Sequence, residues 1–123
     1  MVSPSSSERH SAAIADADLA QLREQLESER AVQHALVLEH DATARALMGQ
    51  RDVDSLLERE VAEDLAARAR DAVADIDDAI ARMDAATYGR CESCGAPIPL
   101  ERLEVMPYAR LCVSCSHERP ARR

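Results

Sequence analysis

Four cysteines arranged as two C-x-x-C pairs restrict the possible folds of this chain more than any other feature. Cys91 and Cys94 form the first pair, and Cys112 and Cys115 form the second after seventeen intervening residues. This spacing is typical of a site in which four thiolates surround one zinc ion as a tetrahedron, at about 2.3 Å per Zn–S bond. Because protein sulfurs occupy every position, we expect one structural Zn²⁺ that neither water nor substrate can reach.

Other uses of these cysteines agree less well with the rest of the chain. Two disulfides would require an oxidising compartment, but residues 1–10 are Ser-rich and lack the apolar core of a secretion signal. A thioredoxin-like pair would lie beside a βαβ unit, and no such pattern surrounds these cysteines. An iron site of the rubredoxin kind has similar spacing and remains an alternative to zinc.

The apolar composition favours long helices over a large globular core. Apolar residues make up 46% of the 123 positions, yet the aromatic residues are only Tyr88 and Tyr108. Ala, Leu, Val and Ile, which supply most of the apolar content, suit helices that pack along a narrow seam. No apolar run approaches the length of a membrane span. We therefore expect a mainly α, cytoplasmic protein that does not contact a membrane.

Two long amphipathic helices are predicted ahead of the cysteines. The first runs from about Ser11 to Met48 without an internal Pro or Gly. Its apolar seam follows steps of roughly three and four residues and consists of Leu19, Leu22, Leu26, Val32, Leu36 and Leu47. The second helix runs from Val53 or Asp54 to about Ala86. Its seam consists of Leu57, Val61, Leu65, Ala69, Ala72, Ile76, Ile80 and Met83.

A turn is predicted near residues 49–54, between the two helices. Gly49 is a signal for the end of a helix, and an Asp such as Asp52 or Asp54 accepts hydrogen bonds from the free N–H groups at the start of the next one. These signals favour an antiparallel coiled-coil hairpin. A parallel dimeric coiled coil would need one continuous helix through this segment, so we expect a monomer.

These patterns divide the chain into four segments. Residues 1–10 are interpreted as a flexible polar tail and residues 11–87 as the antiparallel helical hairpin. Residues 88–118 are interpreted as a small four-cysteine zinc finger with a short C-terminal helix. Residues 119–123 form a basic tail.

Negative charge is concentrated in the helical part of the chain. Residues 1–89 carry 19 acidic and 9 basic side chains, whereas residues 90–123 carry 4 acidic and 6 basic ones. An acidic arm repels phosphate backbones, and the charge of about −2 on a zinc tetrathiolate offsets the basic balance of the finger. We therefore expect no direct sequence-specific DNA binding. Arg90, Arg102 and Arg110 form either a docking surface for a partner or contacts at helix ends and beside the zinc site.

Residues 88–115 read YGRCESCGAPIPLERLEVMPYARLCVSC and combine three motifs. The motifs are Tyr88-Gly89-x-Cys91-x-x-Cys94-Gly95, Arg102-Leu103-x-x-x-Pro107-x-Ala109 and Cys112-x-x-Cys115. In this order they resemble the zinc finger of the DksA/TraR family, and a helical hairpin ahead of the finger agrees with the architecture of that family.

The resemblance implies a bacterial transcription regulator that binds RNA polymerase rather than DNA. Members of the family insert the hairpin into the secondary channel of the polymerase, bring acidic residues at its tip near the active-site magnesium, and alter initiation. Asp52 and Asp54 are the corresponding tip candidates here. Better-known members carry D-x-x-D-x-A at the tip, whereas this chain has Arg51 three residues before Asp54 and Leu56 two residues after it.

A second function class remains open. The chain could be a zinc-stapled structural or adaptor module that binds another protein through its hairpin. An enzyme is not expected, because the predicted zinc site has no open position and the sequence contains no recognisable nucleophile–base pair and no Gly-rich phosphate-binding loop.

Overall fold

The computed structural model describes residues 14–118, which contain four helices and no β-strand. Helix α1 spans Asp16–Ala46 and helix α2 spans Val53–Asp84. The short helices α3, Leu100–Val105, and α4, Val113–Glu118, follow in the cysteine-containing region. The predicted mainly α fold, with two long helices ahead of a four-cysteine cluster, is confirmed. The predicted tails, residues 1–10 and 119–123, lie outside the described residues.

The chain divides into two compact units. We call residues 27–77 the hairpin unit, and residues 14–26 together with 78–118 the finger unit. Helices α1 and α2 each contribute to both. No helix in the described part of the chain combines the length and the apolar content needed to cross a bilayer.

Ion pairs show that α1 and α2 run antiparallel in the hairpin unit. Arg30 Nε donates to Asp77 Oδ1 at 2.6 Å near one end of the unit, and Arg70 pairs with Asp41 further along. The Arg30 guanidinium lowers the pKa of the Asp77 carboxyl by its hydrogen bond. All four side chains are substantially exposed, so each pair orients the helices more than it stabilises them.

The segment between the helices is built from standard end signals. Gly49 has a φ of +89°, a left-handed conformation that ends α1 readily because glycine lacks Cβ. Ser55 N–H donates to Asp52 Oδ2 at 2.9 Å, which makes Asp52 the N-cap of α2. This hydrogen bond from the Ser55 backbone is the main reason that the pKa of Asp52 is lowered.

The predicted seam of α2 is wrong in its first half. Leu57, Val61 and Leu65 are 55%, 57% and 38% exposed, whereas Ala62 and Ala66 are 4% and 0% exposed. The sequence of this segment carries two apolar stripes, and the stripe of small side chains is the one that packs inside. Alanine can occupy the buried seam in place of larger residues, because a small side chain lets the backbones of two helices approach closely.

Further along α2 the predicted seam agrees with the structure, since Ala69, Ile76 and Met83 are buried. In α1, Leu22 and Leu26 are buried as predicted, but Val32 is 53% exposed and Val37 takes the buried position.

Helix α2 ends without a glycine. Ala86 adopts a left-handed φ of 64°, while Thr87 N–H donates to Arg82 O at 2.9 Å and Ala86 N–H to Met83 O at 3.2 Å. This pair of hydrogen bonds is the Schellman pattern, whose left-handed position usually holds glycine. A Cβ at this position costs roughly 1–2 kcal/mol.

Candidate metal centre

The sulfur atoms of the four cysteines converge on one point. The Sγ atoms of Cys91, Cys94, Cys112 and Cys115 all lie within 4.8 Å of one another, and those of Cys94 and Cys112 are 3.8 Å apart. A tetrahedron with Zn–S bonds of about 2.3 Å has S···S edges of about 3.8 Å, whereas a disulfide requires about 2.05 Å. The four sulfurs are therefore positioned to bind one metal ion.

The first pair of cysteines is held in a tight loop. Cys91 N–H donates to Ala96 O at 2.8 Å, and Gly95 N–H donates to Cys91 O at 2.9 Å. Gly95 has a φ of +79°, which a residue with a side chain rarely adopts. The glycine that follows Cys94 is thus required by the turn that folds the chain back behind the two sulfurs.

The second pair lies at the start of helix α4. Cys112 precedes the helix and Cys115 is buried within it, and Ser116 N–H donates to Cys112 O at 2.9 Å. A direct link joins the two halves of the site, because Glu92 N–H donates to Arg110 O at 2.8 Å. This backbone hydrogen bond ties the loop of the first pair to the segment just before the second pair.

The thiols differ in acidity for reasons that favour a cation. Burial opposes ionisation of Cys91, but backbone N–H groups from Cys112, Cys94 and Ser93 outweigh it and lower the pKa of this thiol to about 6. Hydrogen bonds with Cys91, Cys112 and Cys94 raise the pKa of the Cys115 thiol to about 12. A cation bound among the four sulfurs would favour their ionised form, because an opposite charge nearby stabilises a thiolate.

Two arginines hold carbonyl groups next to the cysteines. Arg90 NH1 donates to Gly95 O at 3.1 Å, beside Cys94, and Arg102 Nε donates to Leu111 O at 3.1 Å, beside Cys112. The sequence left two interpretations of these arginines, a docking surface or contacts beside the zinc site. In the structure, Arg90 and Arg102 make contacts beside the cysteines. His117 is exposed on α4 and is not part of the sulfur cluster.

A buried tyrosine anchors the framework around the cysteines. Tyr88 Oη donates to Pro107 O at 2.7 Å, and burial raises the pKa of Tyr88 to about 12. Leu103 on α3 is fully buried, and Ile98 and Ala109 are each 4% exposed. Three motif residues, Tyr88, Leu103 and Ala109, thus form the small core of the finger together with Ile98.

Sequence reasoning missed one constraint on the framework. Gly89 has a φ of +88°, and a Cβ at this position would lie 2.9 Å from Ile14 Cδ1. Nothing local indicates this contact, because Ile14 is distant in sequence and precedes α1. The left-handed conformation is thus the main requirement for glycine at position 89, and a side chain there would also displace the end of the Ile14 side chain.

The two tip candidates have different structural roles. Asp52 caps α2 through Ser55, as the capping interpretation expects. Asp54 lies exposed in the first turn of the helix, where a carboxylate also favours the positive end of the helix dipole. Of these two carboxylates, Asp54 is the one that can be changed without removing the cap.

Comparisons with known proteins agree with this geometry. Residues 86–120 match the family described as the prokaryotic dksA/traR C4-type zinc finger. Over 87% of its length the chain is similar to the solved structure of transcription factor DksA2 from Pseudomonas aeruginosa, with a TM-score of 0.77, 26% identity and 86% of that chain covered.

Curated relatives match over shorter segments. General stress protein 16O of Bacillus subtilis is 46% identical over 44 residues, which are 36% of this chain and 27% of the relative. The RNA polymerase-binding transcription factor DksA of Caulobacter vibrioides is 42% identical over 57 residues, 45% of this chain and 40% of that protein. The protein of the same name in Escherichia coli is 38% identical over 48 residues, which are 39% of this chain and 32% of that protein. Each match spans less than half of the relative.

The family resemblance expected from the motifs is confirmed, and with it the zinc cofactor. The family model names a C4-type zinc finger, and the four cysteines that it requires meet at one point in the fold. Residues 86–120 of this chain therefore match the dksA/traR C4-type zinc finger, and they follow two long helices in a fold similar to that of DksA2.

Proposed function

We propose that this protein is a zinc-containing transcription regulator that binds RNA polymerase and modulates initiation. The observation that carries the proposal is the similarity to DksA2 over 87% of the chain, which includes the long helices as well as the finger. A match confined to the finger would support only a zinc module. The names of the Caulobacter and Escherichia relatives supply the partner, since both are called RNA polymerase-binding transcription factors.

In this proposal Cys91, Cys94, Cys112 and Cys115 ligate one Zn²⁺. When bound, the ion supplies stability to the finger and no chemistry, because four thiolates leave no position for a substrate. The protein therefore acts by binding and not by catalysis.

The hairpin is the part of the chain that we propose enters the secondary channel of the polymerase. Helices α1 and α2 are 31 and 32 residues long, and a helix of that length rises about 46–48 Å. Asp54 at the start of α2 is the proposed contact for the catalytic region of the polymerase, while Asp52 sets the start of the helix through its cap. A carboxylate in that position can engage the water shell of a magnesium ion or a basic side chain.

Charge supports a protein partner over DNA. The chain has a formal net charge of −8, and its acidic residues are spread along the helices, so close approach to a phosphate backbone is unfavourable. We propose that the protein acts as a cytoplasmic monomer without direct sequence-specific DNA contact.

The test is binding of the zinc-loaded protein to purified RNA polymerase core in the presence of a known secondary-channel occupant. Competed binding with a Kd in the micromolar range or tighter is the expected result. Binding that ignores the competitor would overturn the channel site but keep the polymerase as partner. No binding by a folded, zinc-loaded protein would overturn the proposal and favour the alternative, a zinc-stapled adaptor that uses its hairpin to bind another protein.

The role of the tip is tested with a pair of charge-matched variants. Asp54→Asn removes one exposed carboxylate beside the turn, and Glu39→Gln removes one exposed carboxylate along α1. We expect Asp54→Asn to reduce the effect on open-complex lifetime at a responsive promoter by about tenfold while Glu39→Gln leaves it within about twofold, as for loss of a contact to a charged group. Equal effects of the two variants would remove Asp54 from the mechanism.

A further inference from the structure

Helix α2 carries a row of large apolar side chains on the outside of the hairpin unit. Val53, Leu57, Val61 and Leu65 are 68%, 55%, 57% and 38% exposed. They recur every fourth residue over about 18 Å, and because four residues slightly exceed one turn the row winds around the helix by about 40° per step. We call these four residues the apolar stripe.

The hairpin does not use this stripe for its own packing. The buried residues of the same segment are Ala62, Ala66 and Ala69, which are 4%, 0% and 4% exposed. At about 100° per residue, Val53, Leu57 and Val61 lie roughly 80° or more from these alanines around the helix, whereas Leu65 lies roughly 40° from Ala69 and is the least exposed member of the row. Isolated apolar residues are common on protein surfaces, but four large apolar side chains about one turn apart form a continuous apolar surface, which is the kind of patch that marks an interaction site.

Acidic side chains border the stripe on both edges. Helical geometry places Asp54 and Glu58 along one edge and Glu60 and Asp64 along the other, and all four residues are exposed. The basic residue at the end of the stripe, Arg68, is engaged with Asp64 at 3.0 Å. That pair cancels, and the three remaining carboxylates leave the border negative, which makes pairing with the same surface of a second copy unfavourable and pairing with a positively charged surface favourable.

We infer that the apolar stripe is a docking surface for an amphipathic helix of RNA polymerase whose apolar seam is flanked by Lys or Arg. The inference rests on the proposed function, and it adds a contact along the outer side of α2 that is separate from the carboxylates at the turn. Apolar side chains provide affinity by leaving water, and the acidic borders select the partner and its orientation.

The experiment compares two double variants in binding to purified RNA polymerase core. Leu57→Gln with Val61→Gln makes the stripe polar. Val32→Gln with Leu38→Gln makes the same change on α1, where these residues are 53% and 59% exposed. We expect the stripe variant to bind at least about tenfold more weakly and the control to stay within about twofold, as for apolar anchors and bystanders in an interface. Circular dichroism verifies that both variants remain helical.

A third variant tests the charge of the borders. Glu58→Gln with Glu60→Gln should weaken binding at low salt and make it less sensitive to added NaCl, because two of the attractive charges are gone. Unchanged salt dependence would overturn the assignment of a basic partner helix.

The outcomes separate this inference from the proposed function. If the wild-type protein binds the polymerase and the stripe variant binds equally well, the inference fails and the proposed function stands. If the wild-type protein does not bind, both fail. Sedimentation that shows a dimer of the wild-type protein, lost in the stripe variant, would assign the stripe to self-association and overturn the inference.

Discussion

The finger unit and the hairpin unit are stabilised in different ways. The finger unit buries compact apolar side chains such as Leu26 and Leu103 completely, hydrogen-bonds Tyr88 to the chain at Pro107, and gathers four sulfurs around one point. The hairpin unit buries mostly alanines along α2, and its helices are paired through exposed ions such as Arg30 and Asp77. We therefore expect the stability of the finger unit to depend on a metal, and that of the hairpin unit to depend on close packing of two helices along a row of alanines.

Removal of the metal should have the largest effect and should fall on one unit. Chelation of Zn²⁺ is expected to unfold residues 88–118, because binding of a structural zinc contributes on the order of 10–16 kcal/mol, and to leave most of α1 and α2 helical. Far-UV circular dichroism together with limited proteolysis measures this. Complete loss of helical signal on chelation would show that the hairpin unit is not independently stable and would break the comparison.

Replacing a buried alanine of α2 by leucine tests how closely the helices of the hairpin unit are packed. Ala66 is fully buried, so Ala66→Leu should lower the free energy of unfolding by about 1–3 kcal/mol through overpacking. Ala67→Leu, one residue further and exposed, should change it by less than about 0.5 kcal/mol. Urea denaturation of the zinc-loaded protein gives both values. If Ala66→Leu leaves the free energy of unfolding unchanged, the two helices have room for large side chains between them, and the close-packed alanine seam is wrong.

A substitution at the end of α2 should have a smaller effect and should stabilise the protein. Ala86 has a left-handed φ of 64°, so Ala86→Gly should raise the free energy of unfolding by about 1 kcal/mol. Ala85→Gly is the matched control and should be neutral or destabilising, since it gains only unfolded-state freedom. Thermal unfolding of the two variants decides the matter, and a lower Tm for Ala86→Gly would rule out the strained Schellman end.

The finger was predictable in residue detail because its determinants are local and chemically specific. Cysteine spacing specifies where sulfurs must meet, and Gly95 marks a turn that few other residues can make. The contact of Gly89 with Ile14 was not predictable, since the two residues meet only after the chain has folded back. Nor did the pattern decide between partner docking and framework contacts for Arg90 and Arg102, because an arginine can reach either a partner or a nearby carbonyl.

The hairpin shows the opposite balance. Periodicity predicted two long helices, and Gly49 and Asp52 marked the break between them, because helix ends obey local rules of conformation and hydrogen bonding. The same periodicity selected the wrong face in the first half of α2, since it ranks Leu57 and Val61 above Ala62 and Ala66 by size and hydrophobicity. Only the packing of α1 against α2 shows that close approach of two backbones favours alanine inside.

By itself, the sequence determined the zinc site, the helical class and the capped turn, because each depends on neighbours within a few residues or on a metal that imposes its own geometry. The tertiary structure decided which apolar stripe is buried, which arginines hydrogen-bond to the cysteine loops and which side of α2 remains exposed. Those outcomes depend on contacts between residues far apart in sequence. Where two local patterns are equally strong, the sequence alone does not say which of them the fold uses.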